Sequence, residues 1–185
     1  MKDGIRIYNE DFLTTQLNEG VVTHVITDPE YDWEFTYWSP ACFKACMDGT
    51  LIAFCKPENQ WPKPDERIFW VKPTSTKNFS CKLGRFVEIA CVYWGKPPHT
   101  FHQLHWSQMT GVYHDLVVDN ALHPWTKPLS LIERLVRIYT NPGDTILDPF
   151  MGSGVVGVAC KNLGRNFIGF EIDKTYFELA KKNLE

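Results

Sequence analysis

Nothing in the chain approaches the run of about eighteen apolar residues that a membrane-spanning helix requires, which predicts no transmembrane segment and no membrane partner. There is no C-x-x-C pair among Cys42, Cys46, Cys55, Cys81, Cys91 and Cys160. At 185 residues the chain can build a core without disulfide staples, so these cysteines read as reduced, small apolar side chains. The opening M-K-D-G-I-R-I-Y-N-E-D lacks the apolar stretch of a secretory signal, which predicts a cytoplasmic location. Internal repeats and low-complexity tracts are absent. So is a large charge of one sign: 19 basic against 22 acidic side chains leave a net charge of −3, which excludes a globally basic nucleic-acid binder. What remains, with 44% hydrophobic and 22% charged residues, has the makeup of a single ordinary globular domain over 1–185.

The distribution of charge says more than its sum. Residues 1–55 hold three basic and nine acidic side chains, whereas 56–96 hold eight basic and four acidic. Lys72 and Lys77 in that basic stretch are candidates for tracking a phosphate backbone, against the alternative of a solvated lysine-rich face. Along the chain, apolar β-branched runs alternate with helical spacing. Strands are predicted at Val21–Thr27, Leu51–Cys55, Arg67–Val71, Val87–Trp94, Thr145–Leu147 and Phe167–Phe170. Helices are predicted at Ser39–Met47, Leu129–Tyr139, Val155–Leu163 and Lys174–Leu184. Between Pro97 and Pro124 the text turns rich in His, Gln, Ser and Trp without clear period, which reads as a functional loop. Such alternation implies an α/β domain with a mostly parallel sheet and helices on both faces.

Two turns carry the chemistry. Asp148-Pro149-Phe150-Met151-Gly152-Ser153-Gly154 lies between a predicted strand and helix, where a glycine turn lets a ligand approach the backbone. Glu171 closes the following strand, positioned to accept hydrogen bonds from ribose hydroxyls; together they describe a nucleoside site. Gly152 to Gly157 also satisfies the dinucleotide fingerprint G-x-G-x-x-G, which would point to an NAD-dependent oxidoreductase. Against that, Asp148 puts a carboxylate where a pyrophosphate would sit, and few residues follow the fingerprint. The second turn, Asp28-Pro29-Glu30-Tyr31, ends the first strong strand.

D-P-x-Y, followed by His123-Pro124-Trp125-Thr126-Lys127-Pro128 and then D-P-F-M-G-S-G, resembles the amino-methylating DNA methyltransferases of the beta class. In that family the catalytic D-P-P-Y motif precedes the S-adenosylmethionine motif, a permuted order. The resemblance runs from Y-N-E-D through V-E-I-A-C-V-Y-W to F-I-G-F-E-I-D. It implies a Rossmann-like fold, S-adenosylmethionine as cofactor and DNA as substrate, with no metal. By the same resemblance, Asp148, Phe150, Gly152, Ser153 and Gly154 cradle the methionine part, and Glu171 and Ile172 hold the ribose and adenine. Asp11 faces the adenine amine, and Asp28 and Lys127 border the same pocket. The catalytic set is Asp28, Pro29 and Tyr31. An exocyclic base amine is a poor nucleophile because its lone pair is delocalised into the ring. Accepting both of its N–H groups, on the Asp28 carboxylate and the Pro29 carbonyl, exposes that lone pair for direct displacement. The base must first leave the duplex and stack, here on Tyr31. Aspartate in the first position matches the adenine-N6 members, with cytosine-N4 as the alternative.

Two departures stand out. Glu30 occupies the family's second proline and adds charge beside the target base, so a weakened or catalytically silent relative is a further alternative. Val155-Val156 replaces the threonines of many relatives. Residues 97–122 are the expected target-recognition insertion, with Trp106 or Tyr113 as a wedge and Gln103 or Gln108 reading an adenine edge. The shortness of that insertion allows a homodimer. His99, His102 and His105 lack finger-like ligand spacing, so no metal site is expected. The setting expected from the resemblance is a bacterial or phage-infected cytoplasm, in a restriction-modification role.

Overall fold

The computed structural model describes residues 4–15, 17–30, 32–72, 87–95, 111–114 and 126–185. Among the described residues, apolar runs form eight strands: β1 (Ile5–Tyr8), β2 (His24–Thr27), β3 (Leu51–Cys55), β4 (Glu66–Val71), β5 (Val87–Tyr93), β6 (Val112–His114), β7 (Thr145–Asp148) and β8 (Asn166–Phe170). They join in one sheet of order β1-β8-β7-β2-β3-β5-β4-β6. Only β5 runs against its neighbours, β3 and β4; every other pairing is parallel. Seven strands therefore deliver their carboxyl ends to one edge.

Among the described residues, four α-helices cover the sheet: α1 (Phe35–Cys46), α2 (Leu129–Tyr139), α3 (Val155–Leu163) and α4 (Lys174–Leu184). Strand alternation divides the core in two. Ile52 and Phe54 of β3 join the cluster that buries Leu131, Leu135 and Ile138 of α2, Val156 and Ala159 of α3, and Ala180 of α4. Leu51, Ala53 and Cys55, one residue out of phase, face the cluster around Trp38 and Cys42 of α1. Gly157 brings α3 against β8, since a Cβ there would lie 2.8 Å from the Phe167 ring and 2.9 Å from Leu184. The chain leaves β2 through α1 to β3 on one side and leaves β7 through α3 to β8 on the other. The β2/β7 seam is thus the topological switch point, where open α/β sheets open a crevice at the carboxyl edge.

The elements α2, α3, α4 and β3 occupy the residues that the periodicity predicts. Three differ. α1 begins at Phe35, four residues before the expected start, with Pro40 inside it rather than in its first turn. An interior proline costs roughly 3 kcal/mol. Phe35 and Trp38, packed against Trp61 and Tyr93, contribute burial of about 1.5–3 kcal/mol per large apolar side chain, which offsets that cost. β1 and β6 are edge strands of four and three residues, too short for a periodicity reading. β6 falls in the stretch read as a loop, held there by parallel pairing of Phe69 with Val112 and of Trp70 with Tyr113. No helix among the described residues is long and apolar enough to cross a membrane. The five described cysteines are free and buried.

Candidate functional site

Thr27 and Asp148 end adjacent strands at the seam. Thr27 Oγ1 donates to Asp148 Oδ1 at 2.8 Å, and the Phe150 N–H donates to the same oxygen at 3.2 Å. Asp148 is 3% exposed. Burial pushes its carboxyl up to about 7; the two hydrogen bonds oppose that, and the charges of Asp28 and Glu171 add to it.

From Asp148 the chain folds into a turn whose polar groups are spoken for. Met151 N–H donates to the Phe170 carbonyl at 2.9 Å, and Gly154 N–H to the Met151 carbonyl at 2.8 Å. Gly152 at φ +50° and Gly154 at φ +80° take the left-handed conformation that glycine adopts at little cost. Gly152 N–H donates to Glu171 Oε2 at 2.9 Å, while Asp173 N–H donates to Oε1 at 2.8 Å. Glu171 is thereby locked to the turn across one strand, and burial raises its pKa. Asn183 of α4 holds the Ser153 carbonyl at 2.9 Å, and Thr126 reaches the Ser153 hydroxyl at 3.1 Å.

The aromatic floor comes from the other core. The Phe150 ring meets Phe12, Trp33 and Trp38 edge to face. Phe12 follows Asp11, whose carboxylate caps a short 3₁₀ turn by accepting the Leu13 N–H at 2.9 Å. Asn9, at the end of β1, donates to the carbonyls of Glu171 and Ile172 at 2.8 and 3.2 Å. The Ile172 side chain is 71% exposed at the rim. The expected cradle residues Asp11, Asp148, Phe150, Gly152, Ser153, Gly154, Glu171 and Ile172 thus share the carboxyl edge of β1, β8 and β7.

Asp28 and Pro29 follow β2 beside them. The Asp28 carboxylate is ion-paired with Lys127, whose ammonium also lies 3.3 Å from Glu88 of β5. Burial disfavours the Lys127 charge, but Asp28 and Glu88 outweigh it and hold its pKa above the ordinary lysine value. Glu30 is exposed, and its carbonyl accepts the Trp33 N–H at 3.0 Å, closing the turn.

Two expectations need correction. Lys72 is not on a solvated face: its side chain is 7% exposed, ion-paired with Glu88 and set over the Trp70 ring. A buried, paired ammonium is not placed to follow phosphates. Tyr113 is no wedge, because β6 buries it beneath the Arg134 guanidinium, 4.4 Å from its ring centre. Tyr31, Lys77, Gln103, Trp106 and Gln108 lie outside the described residues, as do His99, His102 and His105. Among the described residues no cluster of His, Cys, Asp or Glu could hold a metal ion. Glu88 is the site residue that the sequence reading passed over. Its signal is a carboxylate set inside the otherwise apolar run V-E-I-A-C-V-Y-W.

Residues 41–182 match the family model described as DNA methylase, of the N6/N4 type. The chain belongs to this family. M2.DpnII, a type II methyltransferase of Streptococcus pneumoniae, is 52% identical over 63 residues, 34% of this DNA methylase chain and 24% of that protein. M2.MboI of Moraxella bovis is 32% identical over 130 residues, 62% of this chain and 47% of that protein. The matched stretches thus span between a quarter and a half of those relatives. The solved structure of the M1.HpyAVI–SAM complex is 32% identical with a TM-score of 0.75, covering 97% of this DNA methylase and 100% of that chain. PvuII DNA methyltransferase, described as cytosine-N4-specific, superposes with a TM-score of 0.83 over 99% of this chain and 87% of its own. At 15% identity that likeness shows the fold alone.

Proposed function

We propose that this DNA methylase transfers a methyl group from S-adenosylmethionine to the exocyclic N6 amine of adenine in DNA, after the base is flipped out. The observation that carries this reading is the seam: Asp28 and Asp148 end neighbouring strands, so the cradle and the amine-accepting turn open into one crevice. M1.HpyAVI, similar over nearly the whole chain, is a protein solved with SAM.

The residues present suit the cofactor. Glu171 offers a carboxylate whose orientation is set by two backbone N–H groups, as ribose hydroxyls require. Asp28, Asp148 and Glu171 concentrate negative charge where a cation would lie. Phe150, pinned by three rings, gives a flat apolar wall, with Asp11 beside it and Ile172 at the rim. The turn N–H of Gly152 is already taken by Glu171, which argues against a pyrophosphate seat and so against the NAD reading. When bound, S-adenosylmethionine supplies an electrophilic methyl group. The chain supplies the rest. Asp28 and the Pro29 carbonyl accept the amine N–H groups, Tyr31 stacks on the flipped base, and Lys127 holds the Asp28 carboxylate as its ion-pair partner. Lys77 would contact phosphate, Gln103 or Gln108 would read base edges, and Trp106 would fill the gap in the stack. A homodimer would bring a second recognition segment to the DNA, in a bacterial or phage-infected cytoplasm.

Incubation with labelled S-adenosylmethionine and mixed unmethylated DNA, followed by nucleoside mass spectrometry, tests this directly. N6-methyl-2′-deoxyadenosine is the expected product; N4-methylcytosine would change the target base only. Cofactor binding without any methylated nucleoside would favour a silent relative. The specific feature behind that second reading is Glu30, an exposed charge on the lip of the catalytic turn. Glu30→Pro preserves the carbonyl that accepts the Trp33 N–H and removes the charge, so turnover should rise in steady-state assays. An unchanged or lower rate would clear Glu30 of restraining the enzyme.

A further inference from the structure

Asp28, Lys127, Glu88 and Lys72 form a chain of alternating charges laid across three strands. Asp28 stands at the end of β2, Glu88 near the start of antiparallel β5, and Lys72 just past β4. β3 runs between β2 and β5, and its buried Phe54 ring lies 5.1 Å beneath the Lys127 ammonium. Lys127 thus spans an apolar floor with a carboxylate at either side. Side-chain exposures of 28% for Asp28, 16% for Glu88 and 6% for Lys127 show Asp28 as the wettest of the three, facing the crevice.

Asp28 has two tasks on the proposed reading, and they compete. It must accept an N–H of the incoming amine, yet its Oδ2 already accepts a hydrogen bond from Lys127. An ammonium with one carboxylate partner in a buried site would hold it tightly, because leaving either charge alone costs several kcal/mol. An ammonium with two partners can lean toward the second while the first turns to the base. We propose that Glu88 is a positioning residue that takes up Lys127 as Asp28 engages the target amine, so that the Asp28 carboxylate is free to accept. Lys72 then neutralises Glu88, keeping the four-group array at net zero. This inference rests on the methyl-transfer reading and assigns the resting partner of its central carboxylate.

The test is Glu88→Gln, which keeps shape and removes charge, beside a Glu88→Gln/Lys72→Met double variant that restores charge balance. Single-turnover rates on saturating DNA should fall roughly 10–100-fold in both variants, the scale of a misplaced catalytic group. Dissociation constants for S-adenosylmethionine and for DNA should stay within about two-fold of wild type, because binding groups are untouched. A merely structural Glu88 predicts otherwise: the double variant would regain both thermal stability and wild-type turnover, and that result would overturn the proposal. So would a single variant with unchanged rate, provided wild-type protein methylates in the same assay. Wild-type protein that transfers no methyl group defeats the methyl-transfer reading itself, a distinct outcome.

Discussion

Asp28→Ala should lose methyl transfer by about 10²–10³-fold or more, the cost of removing one preorganised group aimed at charge that develops in the transition state. That corresponds to roughly 3–4 kcal/mol of barrier. Cofactor binding should weaken but persist: one negative charge near the cation is lost, while the cited hydrogen bonds that hold the cradle at Asp148, Phe150–Gly154 and Glu171 run between cradle groups and α4. Folding should survive too. Lys127 keeps Glu88 as a counter-ion 3.3 Å away, so its buried charge is not stranded. The loss of one ion-pair partner costs on the order of 1–3 kcal/mol. Single-turnover transfer measured alongside cofactor affinity separates these effects. A rate within ten-fold of wild type would show that another group accepts the amine.

The second large effect is a dependence of stability on pH traced to Asp148. Its carboxyl is raised from the ordinary aspartate value to about 7 by burial. Between those two values the folded protein holds a proton that the unfolded chain has released. Stability from this group is therefore fully present below about pH 4 and is lost as pH climbs through 7. At about 1.4 kcal/mol per unit, the change over that window reaches up to about 4 kcal/mol. Asp148→Asn removes the titration while retaining an oxygen for the Thr27 hydroxyl and the Phe150 N–H. Denaturant titrations at pH 4.5 and pH 8 should show the wild type losing stability, relative to the asparagine variant, by an amount approaching that figure. Parallel curves would mean that Asp148 is ionised in the fold across the whole range.

Asp148 and Asp28 are both legible in the sequence, because each sits at the end of an apolar run and beside a proline or glycine turn. The same local grammar places α2, α3, α4 and β3. Reading fails where the deciding partner is remote. The expected helix starts at Ser39, yet Trp61 and Tyr93 reward burial of Phe35 and Trp38 upstream of it. Lys72 reads as a surface lysine until β5 brings Glu88 to it. Glu88 itself carries no motif, and its importance lies in two lysines distant in the chain. Tyr113 changes from wedge to core because three residues of β6 pair with β4. Each miss is a tertiary contact overruling a local signal.

The pairing of β1 with β8 also bears on how the molecule comes into being. Asn9 and Glu171, joined by a hydrogen bond, are 162 positions apart. β1, which walls the outer side of the proposed cradle, is made well before β8, its sheet neighbour among the described residues. Until β8 arrives, Ile5 and Ile7 have no sheet to cover and β1 stays an unpaired edge. The β2–β3 half, joined through the short α1 crossover, can assemble from nearby chain. Closing so wide a loop carries an entropic cost that grows with the logarithm of its length. The proposed nucleoside cradle therefore takes shape after the β2–β3 half, so chains stalled before β8 would carry the Asp28 turn without the cradle's outer wall.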